Sequence, residues 1–295
     1  MRYRVDMDFI GRGNAGAAYG GFLHAWSFRD IGPHEWFEEF RQTALAAMGR
    51  RFLPVYRMAD GEYRFLMGRH YNFSRKPLIK EFLAVTAEKI RLTNPDQWKT
   101  SWGETYSPED TRRLRASLIE DIRFIAQKGF LACYINDNGL NAFTEHNKPL
   151  LAFFQRHQIP FDAENYVPFH FCPSLLVSDG WQDFLQDRQV LIVTSLTPEK
   201  ERAITDTLVE MGAASVCFLP ISAHSSMYDR LDLSGFDKTM DICLVAAGIG
   251  SANILRQLQP LNTLSLDIGG LMNCFADRQA SQHGGVIRLP DFANG

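Results

Sequence analysis

The chain has 295 residues, of which 45% are hydrophobic and 22% are charged, a composition typical of a globular protein with an ample core. Its 31 Lys and Arg residues against 34 Asp and Glu give a net charge of −3 with no long basic block, which argues against a dedicated nucleic-acid binder. No stretch approaches the roughly 18 apolar residues of a membrane span, and the first residues lack the apolar core of a signal peptide. These features predict a cytoplasmic protein without a transmembrane segment. The five scattered cysteines, with no Cys-x-x-Cys pair, predict free thiols in a reducing compartment.

The first 32 residues are rich in glycine, above all Gly11–Gly16 and Gly20–Gly21. They lack the Gly-Lys-Ser/Thr of a phosphate-binding loop and are not followed at once by a helical pattern. We interpret residues 1–32 as an N-terminal arm or extension on the surface. Such an arm could contact a second copy of the chain in a homo-oligomer.

A helical pattern over residues 33–49 is followed by a strand over 52–56 and then by two carboxylates, Asp60 and Glu62. An Asp-x-Glu pair at a strand end can coordinate Mn²⁺ (manganese) or Mg²⁺ through oxygen. Arg57, just before the pair, is a candidate anion ligand. The alternative is structural: Asp-Gly favours a turn, and Glu62 suits the first turn of a following helix, which is predicted over 63–67.

The middle of the chain alternates between helical and strand patterns. Helices are predicted over 76–92, 107–127, 149–157 and 174–185, with strands or extended segments over 130–135 and 166–172. Strand alternation would place His170 and Cys172 on one face. Asp137 follows the strand at 130–135 and is either a ligand at the carboxyl edge of a sheet or an ordinary turn residue.

The last third predicts a parallel sheet. Continuous apolar strands over 190–194, 215–219, 241–246 and 263–267 alternate with helices, among them one over 198–211 and a short one near 227–231. The predicted fold class is therefore α/β, a Rossmann-like parallel sheet flanked by helices with a helical N-terminal portion. The Rossmann-like half covers about residues 187–280.

Two strand ends in this half carry nucleotide-type features. Gly248-x-Gly250-Ser251 would let a phosphate approach backbone N–H groups, although the same residues also suit a tight strand–helix turn. Asp267 ends the next strand, where an acid can bind ribose hydroxyls or simply belong to a turn. Ser222 and His224 share a polar loop, and His224 is the most plausible functional histidine. Asp137, His224 and Asp267 are the candidate general bases.

Arg57-Met-Ala-Asp-Gly-Glu62 resembles the Arg-x-Gly-Asp-Gly-Glu signature of bacterial glycosyltransferases with the GT-D fold. A second similarity is the strand and turn at 241–248, followed after a helix by Leu266-Asp-Ile-Gly269. The segments 188–193 and 219–224 fall between them in the family's order, so the resemblance covers roughly residues 35–280. This chain has Ala59 where the family usually has glycine, and it lacks the family's His after Gly269.

The resemblance implies a single GT-D-like domain over residues 33–295 and a hexosyltransferase-like activity. The family transfers a sugar from a nucleotide diphosphate sugar, usually UDP-linked, to a hydroxyl of a glycan or glycoconjugate acceptor. It implies that Asp60 and Glu62 bind the divalent metal that holds the diphosphate. The open alternatives are another Rossmann-like nucleotide-using transferase and a noncatalytic nucleotide-sugar-binding relative.

Overall fold

The computed structural model describes residues 1, 3–10, 24–58, 60–67, 98–99, 105–133, 135, 147–236, 240–277 and 289–290. The predicted helix at 76–92, the Gly11–Gly21 stretch and Asp137 lie outside the described residues. The strands are β1 (Tyr3–Asp6), β2 (His24–Ser27), β3 (Leu53–Met58), β4 (Trp98–Lys99), β5 (Thr105–Tyr106), β6 (Phe130–Cys133), β7 (Tyr166–Pro168), β8 (Gln189–Thr194), β9 (Ser215–Pro220), β10 (Ile242–Ala246) and β11 (Leu264–Asp267). The α-helices are α1 (Pro33–Ala47), α2 (Asp60–Met67), α3 (Pro108–Lys128), α4 (Asn147–Arg156), α5 (Phe171–Ser174), α6 (Gln182–Leu185), α7 (Pro198–Glu210), α8 (Ser251–Gln257) and α9 (Leu271–Ala276).

A seven-stranded parallel sheet forms the centre of the protein, in the order β7-β6-β3-β11-β10-β8-β9. The predicted α/β class with a Rossmann-type parallel sheet is confirmed. The sheet extends beyond the predicted half at 187–280, because β3 pairs directly with β11 and continues it to β6 and β7. Val55 lies opposite Leu266 on one side and Phe130 on the other, so the ends of β3 and β11 come together.

The helices cover both faces of this sheet. The chain moves through α7 from β8 to β9, and through α8 in the opposite direction from β10 to β11. Because such crossovers are almost always right-handed, α7 and α8 lie on opposite faces. The connections that leave β8 and β10 therefore run to opposite sides, which makes this position the switch point of the sheet. Open α/β sheets form a ligand-binding crevice at the carboxyl edge of their switch point.

The best-defined helix signal in the sequence is confirmed in α3. Ser107 caps it by accepting a hydrogen bond from the backbone N–H of Asp110, and Pro108 occupies the first turn. The helix buries a stripe that includes Leu114, Leu118 and Ile122. None of the helices in the described part of the chain is long and apolar enough to cross a membrane.

Three predicted elements differ from the structure. The segment at 166–172 leaves the sheet after Pro168, and His170 precedes a one-turn helix, so His170 and Cys172 do not share a strand face. The helix predicted over 174–185 is two short helices, α5 and α6, separated by turns. In place of the predicted helix, residues 226–228 form a turn and 229–231 have no regular structure, and the Tyr228 N–H donates to the Ser225 carbonyl.

The described parts of residues 1–32 lie on the core and not apart from it. β1 and β2 pair antiparallel, and the Trp26 N–H donates to the carbonyl of Ile135, beyond the end of β6. Val5, Met7 and Ala25 are buried in the same apolar cluster as the sheet. The described residues of this stretch therefore pack on the sheet domain, whose core covers their apolar side chains.

Candidate functional site

A cleft of about 450 Å³ opens at the carboxyl edge of the sheet, where the β8 and β10 connections diverge. Its walls are the segments that follow four strands, together with side chains of α7 and α9. Its lining comprises residues 194–196, Lys200, Ile204, 221–224, Ser226, 246–248, 269–270, Met272, Asn273 and Ala276. None of these lining residues is Asp or Glu, and two of them, Lys200 and His224, carry basic side chains.

The Gly248–Gly250 turn forms one wall and is built from glycines for steric reasons. Gly248 has φ +54°, a left-handed conformation that side chains rarely adopt. A Cβ on Gly250 would lie 2.6 Å from the backbone carbonyl carbon of Ser226. The Ser226 hydroxyl in turn donates to the Ala247 carbonyl at 2.8 Å. The turn and the loop at 221–226 therefore form one packed unit.

This turn packs against the start of α2, where the acidic pair lies. A Cβ on Gly61 would lie 4.0 Å from Cγ1 of Ile249. The two motifs that the sequence singled out, nearly 190 positions apart, are thus brought into contact at one edge of the sheet. The tertiary structure unites Asp60 and Glu62 with the glycine turn.

The acidic pair is helical and not a free turn. α2 begins at Asp60 and not at Tyr63, so Glu62 lies in its first turn, as the structural alternative predicted. Glu62 is only 6% exposed. Burial raises the pKa of Tyr56, and the nearby charges of Glu62 and Asp267 raise it further. The buried Tyr56 hydroxyl finds no hydrogen-bond partner among the described residues.

The groups around the start of α2, here called the acidic corner, suit a hard divalent cation. The buried carboxylates of Glu62 and Asp267 and the Tyr56 phenol make it rich in oxygen and negative charge, which suits Mn²⁺ or Mg²⁺. The described side chains contain no group of three His, Cys, Asp or Glu that could hold a metal. Residues two apart on a helix do not face each other, so a chelate made by both Asp60 and Glu62 is disfavoured.

Asp267 and Ser251 are buried and bonded to the protein. The Ser251 hydroxyl accepts from the Ala247 N–H at 3.2 Å and is hydrogen-bonded to Asp267, whose carboxylate also accepts from the Gly269 N–H at 3.2 Å. Burial raises the pKa of Asp267 to about 6, although the charge of Arg57 and these hydrogen bonds act in the opposite direction. Both side chains join the glycine turns at Gly248 and Gly269 and do not line the cleft.

Arg57 lies beside the cleft without lining it. Its guanidinium donates to the Ile268 carbonyl and stacks on Phe169, with Cζ 4.1 Å from the ring centroid. A Cβ on Gly269 would lie 2.9 Å from Nη1 of Arg57, so the absence of a side chain at Gly269 makes room for the guanidinium. Burial, assisted by the charge of Arg57, lowers the pKa of His170 to about 3. His170 is therefore neutral near pH 7.

The loop that carries Ser222 and His224 is held to α8. Asp229 accepts from the Ser222 N–H at 2.7 Å, and the Asn253 side chain donates to the Ser226 and Asp229 carbonyls at 3.1 Å. His224 is exposed and faces the cleft together with Ser222. Asn253, at the position where a dinucleotide fingerprint would have its third glycine, is thus a structural anchor for the loop.

Lys200 is the cleft residue that sequence reasoning missed. No residue between β8 and α7 was predicted for the site, and Lys200 lies in the first turn of α7. A cation in the first turn of a helix after a switch-point strand is the sequence signal that could have identified it.

No protein-family model matches the chain, and no curated protein matches it. Among solved structures, it is similar to a glycosyltransferase of the group "DUF1792" from Streptococcus sanguinis, at 15% identity and a TM-score of 0.48, over 83% of each chain. A selenomethionine-substituted domain of unknown function 1792 is similar at 12% identity and a TM-score of 0.43, over 85% of this chain and 87% of the other. At these values neither structure identifies the family of this chain.

Proposed function

We propose that this protein is a metal-dependent, hexosyltransferase-like glycosyltransferase. It moves a sugar from a nucleotide diphosphate sugar, UDP-linked, to a hydroxyl of a glycan or glycoconjugate acceptor. One observation carries the proposal: the helix that begins Asp60-Gly-Glu62 packs on the glycine turn bordering an acid-free cleft at the switch point. The resemblance of residues 57–62 to the GT-D signature adds support.

The cleft suits a nucleotide diphosphate in size and polarity. Its wall combines apolar side chains such as Ile204 and Ile221 with hydroxyls and exposed backbone of two glycine turns. Apolar walls with a few convergent polar groups are typical of cofactor sites. Arg57 supplies positive charge behind Gly269, where it stabilises a negative leaving group.

Asp60 would hold the Mn²⁺ or Mg²⁺, and the buried charge of Glu62 would favour a cation beside it. When bound, the metal supplies neutralisation of the leaving diphosphate. Of the three candidate bases, His224 is the one that is described and faces the cleft, and we assign it the acceptor proton. Asp267 is bonded to the two turns and serves to position them.

The first prediction concerns Asp60. In the wild-type protein we expect Mn²⁺ to tighten UDP binding by about tenfold or more, the usual scale of one charge-assisted contact. Asp60→Ala should remove this enhancement and leave the affinity for UDP in EDTA unchanged. Isothermal titration of UDP with Mn²⁺ and with EDTA measures both. Asp206→Asn, an exposed position on α7, controls for the loss of one carboxylate.

Equal enhancement by Mn²⁺ in the wild type and Asp60→Ala would contradict the metal role. A rise in melting temperature with NAD or S-adenosylmethionine, and none with UDP-sugars, would indicate the other class of nucleotide-using transferase. Binding of UDP-sugars without transfer or hydrolysis would indicate a noncatalytic relative.

A further inference from the structure

The cleft lining contains a lysine that forms no ion pair with a carboxylate of the described residues. Lys200 lies in the first turn of α7, after the Thr197 cap, and its side chain lines the cleft. Its neighbours Glu199 and Glu201 are exposed and do not line the cleft. Among the described residues, no carboxylate forms an ion pair with Lys200. Its ammonium group therefore has a charge to offer a ligand.

Several arginines of the described chain, in contrast, form ion pairs with acids within the protein. Arg41 pairs with Asp183, Arg123 with Glu120 at 2.5 Å, and Arg256 with Asp121 at 2.9 Å. Lys200 differs from these because it borders a concave surface with no acidic lining. The net charge of the chain is −3, whereas the cleft lining contains a lysine and no acidic residue.

Part of the cleft lining consists of glycine backbone without side chains. Gly248, Gly269 and Gly270 belong to the lining, and a Cβ on Gly270 would meet nothing within 4 Å. Glycine at such a wall lets an anionic group approach the main chain closely. His224 and Asn273 add polar groups to the same lining. A phosphate is the ligand group that matches one ammonium, uncovered backbone and the absence of carboxylates.

We propose that Lys200 binds a phosphate of the nucleotide donor directly, in a contact that needs no metal. This inference rests on the proposed function. In this proposal two groups that border the Gly248–Gly250 turn interact with the diphosphate. Lys200 contacts a phosphate from the cleft, and a metal held by Asp60 neutralises the diphosphate from the acidic corner. The two contributions are separable, because the first persists when divalent cations are removed.

The second prediction tests this division by titration in EDTA. Lys200→Ala should weaken UDP binding by about tenfold and leave uridine binding unchanged, because uridine carries no phosphate. Lys200→Arg should retain most of the affinity. Arg202→Ala, an equal loss of charge at an exposed position on the same helix outside the cleft lining, should bind UDP as the wild type does.

The enhancement of UDP binding by Mn²⁺ should be the same ratio in Lys200→Ala as in the wild type. Since Lys200 is exposed, the melting temperature of the variant should not change, which separates a lost contact from a lost fold. Unchanged UDP affinity in Lys200→Ala, or equal losses for UDP and uridine, would overturn the inference while leaving the proposed function standing.

If the wild type did not bind UDP, the proposed function would be contradicted, whereas a phosphate-binding role for Lys200 would still be open to test. Inorganic pyrophosphate is then the probe. Weaker pyrophosphate binding in Lys200→Ala than in Arg202→Ala would uphold a phosphate site serving another nucleotide class. Equal pyrophosphate binding by the two variants would overturn it.

Discussion

Asp267 illustrates how one buried side chain acts on two turns. Its carboxylate accepts the Gly269 N–H and is hydrogen-bonded to Ser251, which in turn accepts the Ala247 N–H. Only 4% of Asp267 is exposed. The carboxylate thus holds the edges of β10 and β11 in register where they border the cleft. Direct binding of a ribose by Asp267, which the sequence suggested, remains a prediction, and the hydrogen bonds in the structure favour a positioning role.

The third prediction follows from the raised pKa of Asp267. The folded pKa is about 6 and the reference value is 3.8, so between these pH values the folded state keeps a proton that the unfolded state has lost. The free energy of unfolding should therefore fall as pH rises from 4 to 6, by about 3 kcal/mol, and level off above that. Asp267→Asn should lack this part of the slope.

Urea unfolding at pH 4 to 7.5 measures the difference between the wild type and Asp267→Asn. The titratable groups that interact electrostatically with Asp267 include Arg57 and Tyr56, on β3, and Cys172, on α5, and all three are kept in the comparison. Asp206→Asn provides the surface control. Parallel pH profiles for the wild type and Asp267→Asn would contradict the assignment.

At the scale of elements, the cleft is made by loops that only close packing fixes. The loop at 221–226 approaches the Gly248–Gly250 turn so closely that a side chain at Gly250 has no room. Asn253 ties the same loop to α8 by two hydrogen bonds. A change at Gly250 should therefore disturb the cleft wall as well as stability.

The fourth prediction is that Gly250→Ala lowers the free energy of unfolding by about 1 to 3 kcal/mol, the usual cost of overpacking. UDP affinity should fall with it, because the displaced loop carries Ser222 and His224. Gly235→Ala is the matched control, since a Cβ there meets nothing within 4 Å, its φ is outside the left-handed region and Gly235 does not line the cleft. Chemical unfolding and UDP titration of both variants give the measurement. Equal losses in the two variants would contradict the packing argument.

At the scale of the whole molecule, the first residues and the sheet share one core. Phe171, after β7, packs edge-on against Trp36 and Phe37 of α1, with ring centroids 5.4 and 5.1 Å apart. Phe37 in turn contacts Phe9, near the N-terminus, at 5.8 Å. These ring contacts link the start of the chain to the middle of the domain. Truncation before α1 should therefore remove part of the core.

The fifth prediction tests this shared core. Met7 is 2% exposed, so Met7→Ala should cost about 2 to 5 kcal/mol, the range for truncating a buried long side chain. Tyr3, 39% exposed in β1, should tolerate Tyr3→Ala within about 0.5 kcal/mol. Guanidinium unfolding of the two variants compares them. A surface arm, in contrast, would show no difference between the two.

The amino-acid sequence by itself determined the periodic elements. The continuous apolar runs that became β8, β9, β10 and β11 predicted a parallel sheet, because strands buried on both faces must be apolar throughout. The cap at Ser107 and the helix after it were likewise local signals. Both Asp60-Gly-Glu62 and Gly248-Ile-Gly250 were recognisable as motifs, since their spacing is a property of adjacent residues.

Only the tertiary structure decided what those motifs meet. β3 pairs with β11 across more than 200 positions of sequence, and this pairing carries α2 to the Gly248–Gly250 turn. In the folded chain Ser251 and Asp267 are buried and hydrogen-bonded to each other. Lys200 lies in the cleft lining because α7 begins after β8, beside the switch point. Long-range contacts of this kind depend on which hydrophobic faces cover one another, and no local pattern of residues specifies that choice.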